Sequence, residues 1–156
     1  AWQHTMHSAI DNLLSNPPYY PCLLLVDRQP AALYARATLL QKQYGWPLLS
    51  VGEKLTPALL PLLPRERERA VQRFLAEEMR TVPPGLLLCT QIDLLFEPSL
   101  QLNPFLLLRG LSRQRPLIVT WPGSYSNGVL AYAVPEHSHY RIWPRPDLCE
   151  YCVQVL

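Results

Sequence analysis

The chain has 156 residues, 49% of them hydrophobic, which suits one domain with a sizeable core, and its formal charge of +2 lacks the dense basic character of a nucleic-acid or membrane-surface binder. Its four cysteines do not make a disulfide scaffold in a chain of this size. No apolar run reaches the roughly 18 residues that span a bilayer and no signal-peptide pattern opens the sequence, so a cytoplasmic location is the expectation.

In chain order, Met6, Ile10, Leu13 and Leu14 predict an amphipathic helix over 5–15, with Thr5 or Ser8 as its cap. His4 and His7 lie three apart and share a face, as surface histidines more readily than as metal ligands. Asn16 to Pro18 breaks this helix, and Cys22–Val26 is a continuous apolar run of strand length. Pro30 then opens a helix whose stripe is Leu33, Ala37, Leu40 and Tyr44, and Gly45 stops it. Trp46 to Val51 predicts a second strand, with Gly52 and Glu53 turning the chain.

The 17 prolines, roughly twice the usual share, act as boundary marks between apolar runs. A proline-punctuated segment over 55–64 leads into a helix over 65–80, where Val71, Phe74, Leu75 and Met79 share a face and the RERER run lies outside it. After Pro83, Pro84 and Gly85, the apolar run 86–96 is a strand candidate. Asn103 and Pro104 form an N-cap and first-turn pair for a helix through Phe105, Leu108 and Leu111, and Pro116 to Trp121 is a fourth strand. Asn127-Gly128 is a hairpin-turn dipeptide, followed by β-like segments at 129–134, 139–143 and 149–156.

Strands alternating with helices predict an α/β domain, with a mostly parallel sheet covered by helices on both faces. One domain over 1–156 is expected, with an N-terminal helix in 1–18 and a C-terminal β extension over 122–156 on the sheet's edge. In such a sheet ligands bind at the carboxyl ends of the strands, here Asp27 to Ala32, Gly52 to Lys54, Thr90 to Asp93 and Trp121 to Ser124.

Laid on the phosphate-binding pattern G-x-x-x-x-G-K-[ST], the first of these turns offers Asp27, Ala32, Leu33 and Tyr34, all four wrong for the chemistry. Asp27 repels a phosphate and Leu33 cannot neutralise one, so Leu33 and Tyr34 are expected to leave a filled or hydrophobic pocket there. Asp93 is the one carboxylate near the position of an acidic magnesium ligand, and capping the following turn explains it equally well. Arg109, Arg113 and Arg115 flank the last helix and are candidates to face a partner, against the simpler role of solvated charges near a helix C-terminus. Glu136, His137 and His139 fit a loop-to-strand alternation, and Cys149 and Cys152 form a C-x-x-C that alone is a weak metal or redox signal. No G-x-S-x-G, H-E-x-x-H or Gly-rich dinucleotide loop appears.

The run LLFEPSLQLNPFLLLRGLSRQRPLIVTWPG at 94–123, followed by NGVLAYAVPEHSHYRIWP at 127–144, resembles BrxF, the small P-loop-containing protein of type III BREX phage-defence systems. The resemblance spans most of the chain from the first strand to Pro144 and includes the Asn-Gly turn and the Tyr132 to His137 run. It implies a three-layer P-loop NTPase-like fold and work beside larger defence proteins that methylate DNA, sense it, or hydrolyse ATP or alkaline ester bonds. Family members with an intact loop carry glycines, lysine and a hydroxyl where this chain has Asp27, Ala32, Leu33 and Tyr34, and an Asp where it has Thr90. Only Asp93 matches an acidic position.

The expectation is therefore a noncatalytic accessory subunit, a pseudo-NTPase, with no ATP, magnesium or other metal expected, acting through BREX-type protein partners. Two alternatives stay open. One is an ATPase active only in a hetero-oligomer, with Arg113 or Arg115 supplied in trans; the other is a DNA-contacting subunit using Arg109, Arg113, Arg115, Arg141 and Arg145.

Overall fold

The computed structural model describes residues 2–156, and side chains from residue 6 onward. Helix α1 spans Trp2–Ser15, three residues earlier than the apolar spacing marks. Met6, Ala9, Ile10 and Leu13 are its buried stripe, whereas Leu14 faces solvent. Because the helix begins at Trp2, Thr5 and Ser8 lie inside it and neither caps it; the His4 side chain lies outside the described ones, and His7 Nδ1 pairs with the Tyr44 hydroxyl at 2.7 Å.

Strand β1, Cys22–Asp27, is buried along almost its whole length because both faces are covered. Helix α2, Pro30–Tyr44, follows with proline in its first turn and Gly45 at φ 72° closing it, the Gly45 N–H donating to the Gln41 carbonyl at 2.8 Å. Strand β2 is only Leu48–Ser50, and Val51 already begins helix α3, Val51–Leu59. Gly52 and Glu53 thus lie in a helix and not in a turn. A Cβ on Gly52 would sit 3.2 Å from the Gln91 carbonyl oxygen, which its N–H meets at 2.9 Å, so a bare backbone suits this packing.

Helix α4, Pro64–Thr81, buries Val71, Leu75 and Met79, with Phe74 packed beside them, and turns its charged run outward. Strand β3 is Leu87–Thr90, shorter than the apolar run 86–96; the rest forms 3-10 turns at Asp93–Phe96 and Pro98–Leu100. Helix α5, Pro104–Leu111, is capped by Asn103, whose Oδ1 accepts from the Leu106 N–H and the Trp143 indole, each at 3.1 Å. The remaining strands are β4, Leu117–Ser126; β5, Val129–Tyr132; β6, Arg141–Pro144; and β7, Val153–Val155.

The parallel sheet has the order β2-β3-β4-β1-β7. Alternation along the strands splits the core between the faces. Leu24, Val26, Val119 and Trp121 pack with α3, α4 and α5, while Leu23, Leu25, Leu88 and Ile118 pack with α1 and α2. The protein is therefore an α/β domain with a mostly parallel sheet and helices on both sides. Each fully buried leucine in these layers stabilises the fold by about 1.5–3 kcal/mol.

The C-terminal segment corrects the expected edge extension. Strand β4 is the centre of the sheet, and its second half continues past the carboxyl ends to pair antiparallel with β5, which pairs in turn with β6. Pro122, with no N–H to give, stands where β4 changes partners. Asn127 and Gly128 both adopt positive φ, 52° and 74°, as a tight hairpin turn requires. Only β7 reaches an edge, where it adds a parallel strand beside β1. Phe96 stacks on Tyr132 at 3.6 Å between centroids and meets the edge of Trp121 at 5.3 Å, pinning the meander to the body.

Candidate functional site: a cleft at the carboxyl ends of the strands

From β1 the chain crosses to β2, whereas from neighbouring β4 it goes the other way, to the meander and β7. Such a reversal opens a crevice at the carboxyl ends of the strands. What occupies it depends on the β1–α2 connection, and here that connection is two residues, Arg28 and Gln29. A phosphate cradle needs a longer loop of free backbone N–H groups. Instead Asp27 Oδ1 accepts the Gln29 N–H at 2.7 Å, Pro30 has no N–H, and the Ala32 and Leu33 N–H groups turn back to the Gln29 carbonyl at 3.1 and 3.2 Å. Ala32, Leu33 and Tyr34 lie in the opening turns of α2, with Leu33 buried and Tyr34 73% exposed.

Beside this helix start lies a cleft of about 320 Å³ between α2 and the carboxyl ends of β2, β3 and β4. Its polar floor comes from strand register. Ser50 pairs with Thr90 across β2 and β3, and Thr120 continues the row on β4, each two residues after an apolar side chain on the same face. Thr120 is buried. Leu33, Ala37, Ile92 and Pro122 supply apolar walls, and Tyr34 stands at the rim.

Gln91 is held at this floor in a left-handed conformation, φ 54°. Two contacts fix it: its carbonyl accepts the Gly52 N–H, and its side-chain Oε1 accepts the Ser50 hydroxyl at 2.8 Å. Asp93 also lines the cleft, and its Oδ1 accepts the Tyr132 hydroxyl at 2.7 Å. Burial, then the hydrogen bond and charge of Asp93, raise the Tyr132 pKa well above the ordinary phenol range, so Tyr132 remains a donor at neutral pH. Asp93 thereby ties the cleft to the aromatic cluster under the meander. It is not the cap of the turn that follows it, which has no side-chain cap.

The three arginines proposed to face a partner are engaged within the chain. Arg115 is buried and donates to the Met79, Val82, Pro83 and Gly85 carbonyls, closing the C-terminal end of α4. Arg109 lies over the Tyr20 ring at 4.3 Å and meets the Asp147 carboxylate at 3.4 Å, with its Nε buried and without a hydrogen-bond partner. Arg113 lies over the Tyr19 ring at 3.8 Å and donates to the Tyr19 carbonyl. Arg141 likewise donates to the Leu102 carbonyl at 2.7 Å.

Cys149 precedes a 3-10 turn, Glu150–Cys152, and is not in the terminal strand. The Cys152 thiol is buried and its pKa is pushed up to about 12, by desolvation first and then by Cys149. The four cysteines are free thiols. His139 faces Glu97 at 3.8 Å, and His137 Nδ1 accepts the His139 N–H at 3.0 Å, which organises the loop between β5 and β6. Among the described residues no group of three His, Cys, Asp or Glu side chains is placed to hold a metal ion, and no helix is long and apolar enough to cross a membrane.

The carboxyl-end positions legible in the sequence do converge here, through Pro30, Glu53, Thr90, Gln91, Asp93 and Pro122. Ser50, Thr38, Thr120 and Tyr132 escaped it. The signal for the hydroxyl row was present as the alternations Leu48-Ser50, Leu88-Thr90 and Ile118-Thr120, but its meaning depends on the strands being neighbours in register. No protein-family model, curated protein or solved structure matches the chain.

Proposed function

We propose that this chain is a noncatalytic accessory subunit of a BREX-type anti-phage defence complex, a P-loop NTPase-like domain whose phosphate site has been closed. The observation that carries the reading is the two-residue β1–α2 turn, capped by Asp27 and led by Pro30. It supports a fold that keeps the strand and helix of a nucleotide-binding unit while giving up the donors that hold phosphate. Asp93 is then a structural acceptor for Tyr132 in place of a magnesium ligand. A subunit of this kind acts through protein partners. The alternatives that supply Arg113 or Arg115 in trans, or offer Arg109, Arg113, Arg115 and Arg141 to DNA, would require those side chains to abandon the contacts they make within the chain.

The test is affinity purification from cells carrying the native operon, with mass spectrometry, together with an ATPase assay on the pure protein. Stoichiometric recovery of the methylating or ATP-hydrolysing defence subunits, with no turnover by the isolated chain, is the expected result. Hydrolysis by the pure protein that is lost in Asp93→Ala would overturn it.

A further inference from the structure

The turn that leads into α2 offers no phosphate cradle, yet the walls of the cleft beside it describe a ligand of another kind. We infer that it binds a small organic cation, an amidinium, guanidinium or protonated amine on a compact apolar body. At about 320 Å³ it lies at the lower end of the size range of small-molecule sites. Two of its lining side chains, Glu53 and Asp93, are carboxylates, and among the described residues no lysine, arginine or histidine lines it. A concave site with one sign of charge and low-dielectric walls focuses that charge onto whatever enters. Phosphates and carboxylates are therefore repelled, while a cation gains both attraction and acceptors.

The apolar and polar surfaces are segregated in a way that suits such a body. Leu33, Ala37 and Pro122 offer hydrocarbon contact, and Tyr34, held at the rim and largely exposed, offers a ring face to a planar cation. On the floor, the Ser50 hydroxyl donates to the Gln91 Oε1 at 2.8 Å and the Thr120 hydroxyl to the Cys89 carbonyl at 3.5 Å, so the oxygens of Ser50, Thr90 and Thr120 offer lone pairs to a cationic donor. Asp93 lines the cleft and its Oδ1 accepts from Tyr132, so the carboxylate carries its charge at the cleft wall. Because Tyr132 holds that carboxylate from behind, the acceptor is fixed before any ligand arrives, which reduces the ordering cost of binding. This inference stands on the cleft alone and does not depend on the accessory role proposed above.

The probe set is benzamidine, its neutral isostere benzamide, benzoate and ATP, each titrated into the full chain while backbone amide resonances are followed by NMR. Benzamidine is expected to shift the amides of Ser50, Gln91 and Asp93 saturably at concentrations up to about 10 mM, with benzamide at least about tenfold weaker and benzoate and ATP silent at these residues. Asp93→Asn retains an acceptor for Tyr132, and Glu53→Gln lies on an exposed helix turn, so both variants keep the fold; each should weaken benzamidine by about fivefold or more. Equal binding of benzamidine and benzamide, unchanged affinity in both variants, or no shift at the cleft residues would overturn the inference.

Discussion

Arg115 offers the sharpest distinction between a side chain that holds the fold and one that serves a partner. It is 9% exposed, and its guanidinium donates to four carbonyls, those of Met79, Val82, Pro83 and Gly85, across the end of α4 and the link to β3. Arg115→Ala leaves all four acceptors without their donor: the Met79 carbonyl is buried, while Pro83 and Gly85 are exposed and water can take the donor's place there. Hydrogen bonds to a charged group contribute about 1.5–3 kcal/mol each, so four of them sum to about 6–12 kcal/mol before any compensation. Recovered solvation of the lost charge and partial entry of water lower this, and the expected loss is about 3–5 kcal/mol. Against a total stability of about 5–15 kcal/mol for a domain, that is a large share. With a urea dependence of about 2 kcal/mol per molar, the unfolding midpoint should fall by about 2 M. Arg115→Lys keeps the charge but not the planar fork, and should recover less than half of the loss. A midpoint within about 0.5 M of the wild type in Arg115→Ala would refute the reasoning and return Arg115 to the candidates for a partner's site.

Two further predictions concern the sheet. Gly123 sits where β4 passes β5, and a Cβ there would lie 1.9 Å from the Ala131 carbonyl oxygen; Gly123→Ala should displace the meander, and loss of the Trp121 fluorescence environment before global unfolding would show it, whereas wild-type stability and spectrum would count against it. The buried thiol of Cys89 has its pKa pushed up to about 12, by burial against a smaller opposing effect of Arg115. The unfolded thiol ionises near its ordinary value, so its contribution to stability is complete below about pH 9 and falls by about 1.4 kcal/mol per pH unit above it until the folded value is reached. Cys89→Ala should flatten the decline measured by denaturant titration between about pH 9 and 11, and an unchanged slope would mean that the thiol is not the group responsible.

Much of the frame was legible in residue order. Pro30 with Gly45, and Asn103 with Pro104, marked helix boundaries because caps and φ restrictions are local properties. The second strand is shorter than Trp46 to Val51 because a mostly apolar run does not separate a strand end from the first buried turn of a helix such as Val51–Leu59. The run 86–96 failed for a related reason. Leu94, Leu95 and Phe96 are apolar because they cover the core as a 3-10 turn, not because they extend β3.

The candidate site divides along the same line. The residues at the strand ends could be named in advance because ligands in an open α/β sheet gather there, and Asp27, Ala32, Leu33 and Tyr34 could be judged unfit for phosphate from side-chain chemistry alone. That the connection is only Arg28 and Gln29 required knowing where the strand stopped and the helix began.

By itself, then, the sequence determined the α/β class, the Pro30–Gly45 and Asn103–Pro104 helix boundaries, the Asn-Gly hairpin and the poor fit of Asp27, Ala32, Leu33 and Tyr34 to a phosphate, all of which depend on a residue and its close neighbours. Tertiary structure alone decided that β4 runs through the sheet into a meander, that Ser50, Thr90 and Thr120 form one floor, that Tyr132 reaches Asp93, and that Arg115 turns inward. The physical reason is distance along the chain. Register, close approach and the competition of acceptors for one guanidinium join residues about 30 or more positions apart, such as Arg115 with Met79 and Tyr132 with Asp93, and no local propensity encodes those pairings.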